Sequence, residues 1–174
     1  TPRPRRPTTA CRISVSTVDH DELIDEWERA WSGRDPAAFG PLCAPHVHYE
    51  DPLTDLPLRG AASIGEHAHR LWEGFPDVRL EGTGARLTDG EYLAVPCRVL
   101  GTHRRPFSGL PATGRSVTAH GVFYCHIEDG RLVRVRGFFD LYGAAVQLGL
   151  LPGRRTLGER ALLLVRGFGL RARG

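Results

Sequence analysis

The spacing of apolar residues changes along the chain, from a helical period in the first half to strand-like runs in the second half. An N-cap signature formed by Asp19 and Glu22 predicts a first helix from Asp19 to Gly33. Asp35 and Pro36 predict the start of a short second helix, with the aspartate as its cap and proline at its first position. The apolar stripe of the first helix consists of Leu23, Trp27, Ala30 and Trp31.

A third helix is predicted from Ala61 to Phe75, before Pro76 and Asp77 stop it. Its apolar stripe consists of Ile64, Ala68, Leu71, Trp72 and Phe75. The first strand is expected between these helices, at residues 46–51, where the break at Pro45 precedes it and Pro52 ends it.

The second half of the chain reads as four strands joined by tight turns. Residues 78–87 and 92–100 are predicted to pair around Asp89-Gly90, and two longer strands flank Asp129-Gly130, because Asp-Gly is a strong hairpin signal. Helices followed by a run of hairpins are typical of an α+β domain. We therefore predict a curved antiparallel sheet with helices packed on one of its faces.

Three regions are expected. Residues 1–18 are rich in Pro, Arg and Thr and predict a disordered basic tail, and residues 19–152 form the domain. Residues 153–174 are expected to contain an added amphipathic helix and a basic tail. The apolar face of that helix would consist of Leu157, Ala161, Leu164, Val165 and Phe168.

The overall charge is modest, which limits the classes of partner. The 174 residues carry a formal net charge of +3, and the arginines concentrate at the two ends of the chain. A nucleic-acid binder more often has its basic residues on the folded body, so we interpret these ends as solvated and expect no nucleic-acid partner. No apolar run approaches the length of a membrane span, so no membrane association is expected.

The four cysteines show neither a CxxC pair nor another metal-ligand spacing. We expect all four to be reduced and the protein to be cytoplasmic. The histidines do not predict a metal site either. His67 and His69 are two positions apart on a helix and point to different sides, while His46 and His48 lack a third ligand.

The order of elements resembles the nuclear transport factor 2-like cone fold, and within it the SnoaL-like polyketide cyclase family, often called ester cyclases. Several short segments carry this resemblance, in the same order and at similar spacing. They are Ala30–Asp35, Tyr49–Pro52, Phe75–Asp77, Gly101–His103, Gly109–Arg115, Asp129–Arg131, Asp140 and Gln147–Gly149.

The resemblance implies a cone-shaped pocket between the sheet and the first three helices. It also implies acid–base chemistry on small carbonyl compounds without a metal or an organic cofactor. The outer sheet face of such cones commonly forms a homodimer. The cyclases of the family carry a catalytic aspartate three residues before the position of Asp140, which is Gly137 here, and the accompanying histidine position is Phe123. Both positions are expected to face the pocket.

Asp140 is the first candidate for a general base, because it follows the apolar pair Phe138-Phe139 at the end of a strand. Its alternative role is to cap the helix that follows. His103, at a strand end beside a Gly/Pro-rich loop, is a candidate acid or hydrogen-bond donor, or else a loop anchor.

Further residues are expected to line the pocket and bind the substrate. Tyr49 and Asp51 alternate at the end of the first strand, so they can reach the pocket together, although for Asp51 a solvated edge position is the favoured interpretation. The complete set of predicted substrate-binding residues is Tyr49, Asp51, Trp72, Phe123, Gly137 and Phe139.

These features favour a cofactor-free enzyme acting on a small, apolar, oxygenated substrate by cyclisation, isomerisation or hydrolysis. In this hypothesis Asp140 is the base, and His103 and Tyr49 are the donors. The alternative is a non-catalytic protein of the same fold that binds a ligand or forms a dimeric interaction module. Glycine at position 137 favours this alternative.

Overall fold

The computed structural model describes residues 17–153, 156–158 and 161–162. The predicted N-terminal tail, at residues 1–18, lies almost wholly outside these residues. Most of the predicted C-terminal helix and the whole of the basic tail after it do so as well. Among the described residues, no helix combines the length and the hydropathy that a membrane crossing requires.

Within residues 17–153, three α-helices and one 3-10 helix accompany the sheet. Helix α1 spans Thr17–Gly33, the 3-10 helix Pro36–Phe39, α2 Ala61–Gly74 and α3 Leu141–Gln147. Asp35 caps the 3-10 helix by accepting a hydrogen bond from the Ala37 backbone N–H, as the sequence predicts. Helix α1 begins two residues before the predicted cap at Asp19.

The described part of the chain contributes seven strands to one sheet, in the order β2-β1-β7-β6-β5-β3, with β4 also paired to β5. Their bounds are β1 Cys43–Glu50, β2 Leu58–Arg59, β3 Arg79–Gly82, β4 Leu87–Asp89, β5 Tyr92–Thr102, β6 Ser116–Glu128 and β7 Arg131–Phe139. The structure confirms the α+β class and the turns at Asp89-Gly90 and Asp129-Gly130.

The predicted strand pattern needs three corrections. The sheet is mixed rather than antiparallel, because β1 pairs in parallel with β7. The predicted strand 78–87 is divided into β3 and β4. Strand β1 begins at Cys43 and passes through Pro45, so the predicted break at Pro45 is absent. Proline is tolerated there because the β1–β7 register is irregular between Cys43 and His48.

The core lies between the inner face of the sheet and helices α1 and α2. Trp27 is fully buried and makes edge-to-face ring contacts with Trp31, Phe39 and Phe123. Three cysteine thiols are also buried there and free, and burial raises the pKa of each to about 12. These thiols, which belong to Cys43, Cys97 and Cys125, act as small apolar side chains.

Candidate active-site cavity

A cavity of about 330 Å³ lies where the open end of the sheet meets α1, α2 and α3. Its walls are apolar and come from several elements, with Trp31 from α1, Phe75 after α2, Phe139 from β7 and Leu148 after α3. A cavity of this size holds a small organic molecule.

The loop between β5 and β6 forms one rim of the cavity. Phe107 and Leu110 line it and pair with each other through two backbone hydrogen bonds of 3.0 and 2.9 Å. The loop packs closely on the end of α2, because a Cβ atom at Gly74 would lie only 2.7 Å from the Cβ of Phe107. A glycine at the end of the helix therefore lets this rim approach.

Helix α3 forms the opposite rim. Its Leu141, Ala144 and Ala145 line the cavity. The side-chain amide of Gln147 fixes the helix to the sheet, since it accepts a hydrogen bond from the Thr118 N–H at 2.8 Å and donates one to the Thr118 carbonyl at 2.9 Å. No residue of α3 is fully buried, so these two hydrogen bonds help to hold the short helix on the sheet.

The polar end of the cavity is built where β1 ends. Asp51 follows the last residue of β1 and starts a tight turn, in which its Oδ1 accepts a hydrogen bond from the Leu53 N–H at 2.8 Å. Its Oδ2 accepts one from the Tyr49 hydroxyl at 2.7 Å and lies 2.9 Å from Nε2 of His67 on α2. The turn and the two side chains together hold the carboxylate in one position.

This cluster is almost completely removed from solvent, since the side chains of His67 and Asp51 are 6% and 7% exposed. Burial raises the pKa of the Asp51 carboxyl, but the hydrogen bonds that it accepts from His67, Tyr49 and the Leu53 N–H outweigh this effect, so the net pKa is lowered. Burial, together with the Asp51 charge, raises the pKa of Tyr49 well above its usual value. The carboxylate is therefore ionised and the phenol protonated near neutral pH.

The ionised carboxylate determines the orientation of the imidazole. A carboxylate only accepts hydrogen bonds, so Nε2 of His67 must carry the proton of the shared hydrogen bond. The other ring nitrogen, Nδ1, faces the Arg70 guanidinium at 3.4 Å, a contact in which Nδ1 is the acceptor. These contacts fit the neutral Nε2–H tautomer.

Three of the predicted substrate-binding residues line the cavity, namely Tyr49, Asp51 and Phe139. Three do not. The indole N–H of Trp72 donates to the Trp31 carbonyl at 2.7 Å, and Phe123 is buried against Trp27 and Phe139. Both side chains belong to the core below the cavity.

Gly137 lies beside the carboxylate but opens to a shallow groove on the other side of Asp51. A Cβ atom at this position would lie 2.9 Å from Phe139 Cε2, 3.1 Å from Phe123 Cε1 and 3.2 Å from Asp51 Cβ. The space that a side chain at position 137 needs is therefore taken by two phenylalanine rings and Asp51.

The two residues predicted to be catalytic are not among those lining the cavity. Asp140 is exposed and caps α3, accepting a hydrogen bond from the Gly143 N–H at 2.8 Å. His103 is buried, stacks on Phe75 with ring centroids 4.9 Å apart, and contacts Thr113 through Nδ1. Their catalytic roles stay predictions, and their observed contacts are those of a helix cap and a loop anchor.

His67 is the site residue that the sequence analysis missed, because it was weighed only as a metal ligand. The signal was present, since His67 lies three residues after Ile64 and four before Leu71, on the apolar stripe of α2. A histidine on such a stripe is buried and needs a polar partner, which here is Asp51.

Comparisons with known proteins agree with this architecture. The family model for SnoaL-like polyketide cyclases matches residues 21–148. TsrD from Streptomyces laurentii is 22% identical with a TM-score of 0.70, over 79% of this chain and 100% of its own. IdmH from Streptomyces antibioticus is 24% identical with a TM-score of 0.65, over 74% and 97% of the two chains. No curated protein is significantly similar in sequence.

Proposed function

Because the chain belongs to the SnoaL-like polyketide cyclase family, we propose that its cavity binds a small, apolar, oxygenated substrate and performs acid–base chemistry on it without a cofactor. Family membership supports a cyclase- or isomerase-type function in general. The observation that supports the finer proposal is the buried Asp51 carboxylate, held by Tyr49 and His67 at the polar end of an apolar cavity.

In the proposed reaction Asp51 replaces Asp140 as the base. Its carboxylate takes a proton from a carbon next to a carbonyl, and the electrons of the broken C–H bond pass into an enolate. The enolate carbon then attacks a second carbonyl carbon of the same substrate, the π electrons of that C=O bond move to its oxygen, and this oxygen takes the proton back from Asp51. In an isomerisation, the proton instead returns from Asp51 to a different carbon. The lowered pKa of Asp51 makes it a weak base, so it suits acidic C–H groups such as those between two carbonyls of a polyketide.

Tyr49 is the proposed donor to the enolate oxygen. While Asp51 is ionised, the Tyr49 hydroxyl donates to it at 2.7 Å. Once Asp51 has taken the proton it is a poorer acceptor, and the hydroxyl is released to the negative oxygen of the enolate. The raised pKa of Tyr49 keeps its hydroxyl protonated, and hence able to donate. His67 acts through Asp51, so it is a positioning residue.

The test measures exchange of the α-protons of 2-tetralone for deuterium in D2O by NMR. The wild-type protein is expected to accelerate exchange above buffer, and Asp51→Asn to reduce this acceleration by at least about 100-fold. The matched control is Asp140→Asn, which is expected to stay within about threefold of wild type. Full exchange with Asp51→Asn, or its loss with Asp140→Asn, would return the role of base to Asp140.

A ligand-binding protein without catalysis is the second candidate. One observation favours it. The described hydrogen bonds to the Asp51 carboxylate all come from groups of the protein itself, as they would for a carboxylate with a purely structural role. The same experiment separates the candidates. Line broadening of 2-tetralone without accelerated exchange would indicate binding alone.

The proposal includes a homodimer formed through the outer face of the sheet. Val122 and Phe138 are paired across β6 and β7 and are 36% and 55% exposed, next to the exposed rings of Tyr92 and Tyr124. An exposed apolar patch of this kind favours a protein partner, and a second copy fits the predicted assembly. Light scattering should give a dimer mass for wild type and a monomer mass for Phe138→Glu. A wild-type monomer at high concentration would refute the dimer.

A further inference from the structure

The cavity has an unbalanced charge. Of the described residues that line it, Asp51 is the one with a formal charge, and no lysine or arginine is among them. The guanidinium of Arg70 contacts the cluster. It reaches His67 rather than Asp51, and it is exposed to solvent, which screens its charge.

The hydrogen bonds to Asp51 stabilise its negative charge without cancelling it. The Tyr49 hydroxyl and the Leu53 N–H are neutral donors, and the contacts of His67 fit the neutral tautomer. Oδ2 already accepts two hydrogen bonds, whereas Oδ1 accepts one. A carboxylate oxygen has two lone pairs, so Oδ1 keeps the capacity for one more donor.

Aromatic side chains contribute much of the remaining cavity wall. Trp31, Phe75, Phe107 and Phe139 all line the cavity, and Tyr49 lies 5.7 Å from Trp31 between ring centroids. Aromatic rings attract cations through their negative faces, most strongly where water is excluded. An anion meets the opposite conditions, because it would be desolvated against the same rings and beside a like charge.

We propose that the cavity selects its ligands by charge, binding hydrophobic amines in their protonated form and excluding free carboxylates. The ammonium N–H would donate to Oδ1 of Asp51, and the alkyl groups of the amine would pack against the rings. This inference rests on the proposed function in that it uses the same cavity and the same carboxylate. It goes beyond that function, because an ammonium held at Oδ1 occupies the lone pair that the base would use, so these amines are ligands that compete with the substrate.

The experiment compares three probes with the same number of non-hydrogen atoms and the same cyclohexane ring. N,N-dimethylcyclohexylamine is cationic at neutral pH, cyclohexyl methyl ketone is neutral, and cyclohexanecarboxylate is anionic. Dissociation constants come from ligand-observed NMR titrations at one ionic strength. The amine is expected to bind at least about tenfold more tightly than the ketone, because a hydrogen bond to a charged group is added. The carboxylate is expected to bind at least about tenfold more weakly than the ketone.

Two variants locate the effect. Asp51→Asn keeps the shape of the side chain and removes its charge, so the ratio of the ketone dissociation constant to the amine dissociation constant should fall to about 1. Ala144→Phe places a ring in the cavity from α3, and all three probes should lose binding. Asp140→Asn is the charge-matched control outside the cavity and should leave all three dissociation constants unchanged.

Equal binding of amine and ketone to the wild type would overturn the proposal. An advantage of the amine that persists in Asp51→Asn would also overturn it, and would place the amine at another acidic group, such as those around Arg86. If Asp51→Asn does not fold, the wild-type ranking and the Ala144→Phe variant decide alone. Because no step here measures turnover, this proposal can fail while the loss of deuterium exchange in Asp51→Asn still supports the enzyme.

Discussion

Asp51 directly follows strand β1 and Asp140 directly follows strand β7, and these strands lie side by side and parallel in the sheet. The carboxylate of Asp51 is buried among side-chain donors at the wall of a cavity. That of Asp140 is exposed and accepts a backbone N–H at the start of α3. Two aspartates at equivalent strand ends thus have different roles, because the segment that follows each supplies different donors.

The difference begins in the next few residues. After Asp51 come Pro52 and a tight turn, and the chain then returns as α2 and places His67 against the carboxylate. After Asp140 a helix begins at once, and its first N–H groups draw the carboxylate outward. The role of a strand-end acid is therefore determined by which hydrogen-bond donors reach it and whether they are buried.

Removing the imidazole should have the largest effect on stability. His67→Ala leaves the buried Asp51 carboxylate without one of its donors, and we expect the free energy of unfolding to fall by about 3 kcal/mol. His67→Gln keeps a donor and should cost about 1 kcal/mol. Urea unfolding measures both. Equal losses for the two variants would mean that packing, rather than the hydrogen bond, explains the effect of His67.

The glycine beside each aspartate gives the second comparison. A Cβ atom at Gly137 would crowd Phe139, Phe123 and Asp51, so Gly137→Ala should lower the unfolding free energy by about 2 kcal/mol. A Cβ atom at Gly143 would lie 2.3 Å from the Asp140 carboxylate and disturb the cap. For Gly143→Ala we therefore expect little net change in the unfolding free energy, because the loss of about 1 kcal/mol from the disturbed cap is offset by a similar gain in helix propensity. A stable Gly137→Ala variant would indicate that Phe139 moves easily.

Loss of the exposed cap should be milder. Asp140→Ala removes the hydrogen bond to the Gly143 N–H and should cost about 1 kcal/mol in urea unfolding. Asp140→Asn should cost less, because asparagine caps helices about as well as aspartate. If Asp140→Ala were as damaging as His67→Ala, the distinction between the two strand ends would be wrong.

The smallest expected effect is in the pH dependence of stability, because burial opposes the interactions that lower the pKa of Asp51. A group whose pKa is lower in the folded state stabilises the fold above its unfolded pKa, which is about 3.9 for aspartate. The stability difference between wild type and Asp51→Asn should therefore be constant from neutral pH down to about pH 5 and decrease below about pH 4. A difference that grows on acidification would contradict the lowered pKa.

The fold could be predicted from the sequence where the signals are local. Asp-Gly turns fix two hairpins, and apolar periodicity identifies α1 and α2, so helices followed by hairpins were sufficient for the α+β class. The parallel contact of β1 with β7 was not accessible in this way, because no turn connects the two strands. The parallel pairing of β1 with β7 depends instead on how the inner face of the whole sheet is buried, which is a tertiary property.

The candidate site was predictable in part. The alternation of Tyr49 and Asp51 placed both on one face, and both line the cavity. The contribution of His67 depends on how α2 packs on β1, which is a tertiary contact without a sequence motif. The position of Trp72 likewise depends on a tertiary contact, because its indole N–H donates to the Trp31 carbonyl.

The parallel pairing of β1 with β7 also bears on how the molecule folds. Each of the hairpins β4–β5, β5–β6 and β6–β7 joins neighbours in sequence, whereas Glu50 of β1 meets Arg136 of β7 across 86 residues. Closing so long a loop is entropically costly, and contacts of this kind slow folding. We therefore expect β1 to join a sheet whose hairpins have already formed. The part of the cavity wall that the hairpin strands supply would then form before the charge of Asp51 is added.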